Sequence, residues 1–338
     1  MTILTSANGS LPLTLRKGET LVIRNYSGIE TVTGSSAYRE EASTALGAGA
    51  VVYGPQTVAA SISVSTSGTL DYSVVVGDPL PGSVQGIRAF KFRAKLEAAR
   101  AGTGPLIIAM LGDSNTAGTG AGTSTAGMVG AQRWSVGAQL ADILDRTFMP
   151  TSNDAFFGDQ NAGDTGVTLQ QFDPRFSAFG AGWSLISGPT MGRRMFQGAS
   201  GGAGALTFTP RKPWNRVRLL AGSATFSATT TNVKAGAATI GNFNTNTAGA
   251  NTLKDETFST GAAAAVQSFS LDGVSGGTCS LAGAIFWDSD NPGCVVVSGG
   301  WCGGFASNLN DASQPWSPRP VAVALGAGLH ITNATIND

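Results

Sequence analysis

Charge is scarce in this chain. Only 12% of its 338 residues are Asp, Glu, Lys or Arg, and 21 basic residues balance 21 acidic ones. That is about half the usual charged share. No basic footprint favours nucleic acid, and no basic cluster interleaved with aromatics favours single strands. Cysteine is nearly as scarce. Cys279, Cys294 and Cys302 form an odd set without Cys-x-x-Cys spacing, which argues against a zinc site or a disulfide framework. Three buried thiols is the plain reading, and one Cys279–Cys294 bridge is the alternative. No metal and no cofactor is expected. No apolar run approaches the roughly 20 residues that span a membrane, so no membrane insertion is expected. Met1-Thr-Ile-Leu-Thr5 lacks the cationic and apolar regions of a secretory signal. There is one histidine, His330.

Glycine is abundant, with 47 residues amid many Ser, Thr, Ala and Asn. This mixture suits β-rich modules with frequent tight turns. Residues 1–80 alternate as short strands: Leu11–Leu15, Thr20–Arg24, Glu30–Thr33, Gly49–Tyr53, Ala60–Val64 and Leu70–Val76. They predict a small antiparallel β module, closed by the breaker Asp78-Pro-Leu-Pro-Gly82. Helical spacing predicts a helix over 87–101 and a second over about 131–147, the latter with Trp134, Leu140, Ile143 and Leu144 on its apolar stripe. From about 190 to 293 the helical period disappears, and six short β-like runs predict a sandwich.

The segment Pro105-Leu-Ile-Ile-Ala-Met-Leu-Gly-Asp-Ser-Asn115 carries the chemistry: an apolar run that stops at Gly-Asp-Ser. The run reads as a strand buried on both faces. Ser114 is then left at its carboxyl end, where open α/β sheets place reactive groups. Short polar residues after a strand also suit an ordinary helix cap, so Asp113 and Asn115 read either as caps or as supports of the serine.

Gly-Asp-Ser directly after a Leu/Ile strand resembles the first block of the SGNH (GDSL) hydrolases, a superfamily of serine esterases and lipases. Val295-Val-Val-Ser-Gly-Gly-Trp-Cys-Gly303 is similar to its glycine block, and Ile331-Thr-Asn-Ala-Thr-Ile-Asn-Asp338 to its asparagine block, with Thr335 where the family has glycine. The resemblance implies that Ser114 attacks an ester carbonyl. It implies that the N–H groups of Ser114 and Gly300 and the side chain of Asn337 hold the oxyanion. Trp301 is then expected to border the cleft. The family's Asp-x-x-His block has no counterpart here, and His330 does not map onto the family's base. The expectation is a piece of a longer polypeptide, or a scaffold kept without the reaction, and little activity from this chain alone.

The implied fold class is α/β, an incomplete flavodoxin-like parallel sheet with an inserted β-sandwich and an N-terminal antiparallel β module. The expected boundaries are 1–80 for the module, 81–188 and 294–338 for the two parts of the α/β domain, and 189–293 for the insert. Asp154-Ala-Phe-Phe-Gly-Asp159, Phe172-Asp-Pro-Arg175 and Leu206-Thr-Phe-Thr209 look like carbohydrate-directed SGNH proteins of tailed bacteriophages. The N-terminal module resembles those at the front of phage virion proteins. Together these imply a virion fibre or appendage protein, a homotrimer held to other virion proteins through the module, that recognises or O-deacetylates host surface polysaccharide. Two alternatives remain: a purely structural or glycan-binding virion protein with an inactive hydrolase-like fold, and a free bacterial carbohydrate esterase.

Overall fold

A computed structural model describes residues 2–16, 19–27, 30–33, 39–41, 50–53, 60–76, 92, 95–118, 122, 129–147, 149–158, 167–224, 227–247, 251–301 and 306–333. The chain divides into two compact units, Met1–Arg93 and Ala94–Asp338.

The first unit carries β1 (Thr2–Thr5), β2 (Leu11–Leu15), β3 (Glu19–Ser27), β4 (Glu30–Thr33), β5 (Arg39–Glu41), β6 (Ala50–Tyr53), β7 (Ala60–Thr66) and β8 (Thr69–Val76). Their pairing is antiparallel throughout, in the orders β1-β8-β3-β6-β5 and β2-β7-β4. Alternation puts Leu15, Leu21, Ile23, Ile62, Val64 and Leu70 into one core.

The second unit contains β9 (Leu106–Gly112), β10 (Thr151–Ser152), β11 (Ala155–Phe157), β12 (Phe176–Phe179), β13 (Trp183–Ser187), β14 (Arg194–Gly198), β15 (Leu206–Phe208) and β16 (Arg216–Ser223). It continues through β17 (Thr230–Ala235), β18 (Ala238–Asn242), β19 (Thr252–Ser259), β20 (Phe269–Ser275), β21 (Cys279–Trp287), β22 (Cys294–Gly300) and β23 (Leu329–Asn333). Two antiparallel sheets, β13-β14-β21-β16-β19 with β11 added and β12-β15-β20-β17-β18, share an aromatic core. Phe156 lies at its centre, 5.1 Å from the ring of Phe176, 5.1 Å from Phe196 and 4.8 Å from Phe208.

The expected flavodoxin-like α/β core is not what the chain builds. The fold is mainly β, and the one parallel sheet among the described residues is small, ordered β10-β22-β9-β23, with β10 only two residues long. Each parallel connection needs a crossover of a dozen or more residues, usually helical. Among the described residues only Val136–Thr147 and Pro318–Leu325 form α-helices of eight residues or more. Outside this sheet, the described strands pair antiparallel.

The helix face also differs from the expected stripe. Trp134 and Ile143 are 51% exposed, while Gly137, Ala138 and Ala141 are buried. The helix sits so close to β22 that a Cβ at Gly137 would lie 3.2 Å from Cβ of Ser298. Small residues permit that approach, and large ones on the same face would force the helix off the sheet.

Candidate active site

β9 is buried over its whole length. Such a strand has no solvated face, so its apolar run needs no polar alternation. It ends at Gly112, and a single helical turn, Ser114–Ala117, follows at once. Ser114 is half-buried at the start of that turn, Asp113 beside it is fully buried, and Asn115 is the turn's second residue. The Ala117 N–H donates to the Asp113 carbonyl at 3.2 Å and closes the turn.

β22 runs parallel to β9 from Cys294 opposite Leu106 to Gly300 opposite Gly112. The two apolar runs therefore end at the same rim. The Trp301 N–H donates to the Gly112 carbonyl at 2.7 Å. In a parallel ladder, alternate residues bond to opposite sides, so the Gly300 N–H points away from β9. On that side β10 pairs only with Cys294 and Val295. Gly300 also lies against the serine-bearing turn: a Cβ there would stand 2.3 Å from the Ala117 nitrogen. The Ser298 hydroxyl donates to the Thr116 carbonyl at 3.4 Å and ties the same turn to β22. Trp301 follows at the rim, half-buried.

The structure thus brings Ser114, Asp113, Gly300 and Trp301 to one end of one sheet. β23 reaches the same rim, with Asn333 opposite Gly112. Asn337, the third oxyanion candidate, lies outside the described residues, as do Cys302 and most of the Gly-rich segment after Ala117. His330 is exposed on β23 opposite Ala109. That is three positions before Gly112, or about 10 Å along a strand. Cys279 and Cys294 are free and buried. Burial pushes both thiols up to about 12, against weaker opposing bonds from Thr231 and Thr151.

Sequence reasoning missed the polar layer behind the rim. A cavity of about 50 Å³ is lined by Ala117, Ser298 and Gly300 from the rim together with Gln132, Asn153 and Arg175. The Arg175 guanidinium is buried and grips Asp173 at two points, Nε to Oδ1 at 2.9 Å and Nη2 to Oδ2 at 2.7 Å. Its Nη1 donates to the Asn153 carbonyl at 2.6 Å, and its plane lies 4.8 Å over the Phe208 ring. The Asp154 carboxylate accepts the Arg211 and Lys212 N–H groups at 2.8 and 2.9 Å. Desolvation, then the nearby positive charge of Arg175, lowers the Arg211 guanidinium from its ordinary value. The Asp-x-Arg spacing of 173 and 175 was the only local trace of this layer. Among the described residues no group of three or more His, Cys, Asp or Glu side chains could hold a metal ion. No described helix is long and apolar enough to cross a membrane.

No family model matches the chain, and no curated protein matches it. Among solved structures, the chain is similar to a peptidoglycan O-acetylesterase at 17% identity and a TM-score of 0.46. The match covers 73% of this chain and 61% of that one. The chain therefore matches less than two thirds of that protein's length.

Proposed function

We propose that the Ser114 rim is a serine-type site for acyl esters on a glycan, in a tailed-phage virion protein whose first unit attaches it to the particle as a homotrimer. One observation carries the site: a serine opens a helical turn at the end of a fully buried strand, and the adjacent parallel strand ends in a glycine held against that turn. In this reading the Ser114 Oγ attacks the ester carbonyl, and the backbone N–H groups of Ser114 and Gly300 and the Asn337 amide receive the negative charge. The glycan hydroxyl leaves, and water then releases acetate from the acyl-serine.

The attack needs a base at the serine hydroxyl. His330, the only histidine of the sequence, is exposed near the start of β23, opposite Ala109 and three positions before the rim. That observation favours a second reading, glycan binding with little turnover. A general base contributes about 10²–10⁴-fold, so slow ester cleavage is the expected behaviour of this chain. Acetate release from an O-acetylated polysaccharide and from p-nitrophenyl acetate is the test. Slow release that Ser114→Ala abolishes supports the esterase reading. Equal release by both proteins refutes the serine's role, and no release by either leaves the binding reading in place.

A further inference from the structure

A second groove of about 540 Å³ opens at the end of the sandwich, among the β13–β14 turn, the ends of β16 and β21, and the segment before the Pro318–Leu325 helix. Its volume falls within the range of about 300–1,000 Å³ usual for small-molecule sites. Trp316 forms its aromatic wall, half-buried. Ser187, Asn251, Thr278, Ser280 and Gln314 supply hydroxyls and amides. None of the described side chains that line the groove is charged. The contrast is with a smaller cavity of about 240 Å³ lined by Asp145, Asp154, Lys212 and Asp288, where Lys212 and Asp145 pair at 2.6 Å.

The groove is built in advance. Gly222 permits the close approach of β16 to the indole, since a Cβ there would stand 3.0 Å from Cε3 of Trp316. The segment that carries Gln314 and Trp316 is tied to itself: the Ser313 N–H donates to Asp311 Oδ1 at 2.8 Å, the Gln314 N–H to the Ser317 hydroxyl at 3.0 Å, and the Arg319 N–H to the Asp311 carbonyl at 3.1 Å. Groups already ordered lose little freedom when a ligand arrives.

The lining decides what fits. An ion would lose its hydration for no opposite charge. The Asn251 Nδ2 donates to Gln314 Oε1 at 3.5 Å, and a purely apolar ligand would take water from the remaining donors and acceptors of these amides and from the hydroxyls around them without replacing it. A molecule that suits both has an apolar face for the indole and neutral hydroxyls around its edge. We infer that this groove binds an uncharged sugar of a host glycan, with one pyranose ring stacked on Trp316 and its hydroxyls bonded to Gln314, Asn251 and the neighbouring serines. The inference deepens the glycan reading above and does not use the chemistry of Ser114.

The test is saturation-transfer NMR on the full chain with the methyl glycosides of glucose, galactose, mannose, rhamnose and N-acetylglucosamine. Each is used at roughly 10 mM, above the millimolar Kd of a weak single-sugar site. At least one neutral glycoside gains signal, strongest at its ring C–H protons, and glucuronate binds at least tenfold more weakly. Trp316→Leu weakens binding at least tenfold and Gln314→Ala severalfold, whereas Ser114→Ala leaves it unchanged. Thermal unfolding checks that each variant is folded, and Gln314→Ala decides alone if Trp316→Leu is not. The inference is overturned if no neutral glycoside binds, if glucuronate binds as well, or if the folded groove variants bind as the native chain does. Sugar binding that survives Ser114→Ala, and ester cleavage that survives Gln314→Ala, separate the two sites.

Discussion

Gly300→Ala tests whether the end of β22 holds the serine-bearing turn in place. The added Cβ would stand 2.3 Å from the nitrogen, 2.6 Å from Cα and 2.7 Å from Cβ of Ala117. Two of those three atoms are backbone, so no rotamer change relieves the clash. Ordinary contact begins at 3.4 Å, and the turn must retreat by about 1.1 Å to reach it. Overpacking of this kind costs about 1–3 kcal/mol, or roughly 2–4 °C of Tm per kcal/mol in a unit of 150–250 residues. Ser114 begins the displaced turn, and a misplacement of about 1 Å at a reacting group costs on the order of 10²-fold in rate. Gly299→Ala is the control on the same strand. Its Cβ meets Cε and Cγ of Met191 at 2.9 and 3.0 Å and Cδ2 of Leu111 at 3.1 Å, all side-chain atoms that can yield. Thermal unfolding and labelling of Ser114 by a fluorophosphonate are the assays. A Gly300→Ala protein that melts and labels like the native chain, or no worse than Gly299→Ala, would refute the argument.

Arg175→Met removes the guanidinium that pairs with the buried Asp173 carboxylate at 2.7 Å and lies 3.6 Å from that of Asp154. Urea unfolding is expected to show a loss of about 3–5 kcal/mol. Arg175→Lys keeps the charge without the two-point grip on Asp173 and falls between. A loss below about 1 kcal/mol in Arg175→Met would show that the layer is solvated. Cys279 and Cys294 are pushed up to about 12 by burial. A thiol reagent at pH 8 is therefore expected to modify neither in the folded chain and both after unfolding, since the thiolate is the reactive form. Mass-mapped modification of either in native protein would contradict their burial.

Much of the local structure was legible because it rests on short-range patterns. The runs at 11–15, 30–33 and 60–64 alternate with period two, and they form strands with nearly the expected limits, the last reaching Thr66. The unbroken apolar runs at 106–112 and 294–300 form the two central parallel strands. The stripe on the second helix was misread because hydrophobicity alone pointed to Trp134 and Ile143, whereas the sheet accepts only the small side chains of Gly137, Ala138 and Ala141. Most of the polar layer was not legible, because Gln132, Asn153 and the Asp173–Arg175 segment are far apart in sequence and meet only on folding. Trp214 and Trp316 look alike in sequence. One is fully buried with its Nε1–H donated to the Gln267 carbonyl at 2.9 Å, and the other lines a groove.

The chain's own order of residues determined that short alternating strands fill the first unit, that β9 and β22 are buried runs closed by glycine, and that Ser114 stands just past the end of β9. Tertiary structure alone decided that these two runs lie side by side in parallel register, that most other strands pair antiparallel in place of a doubly wound sheet, and that the one histidine sits away from the serine. The reason is one of range. Periodicity and turn chemistry act over a few residues, whereas strand pairing across almost 190 positions is chosen by which faces can be buried together.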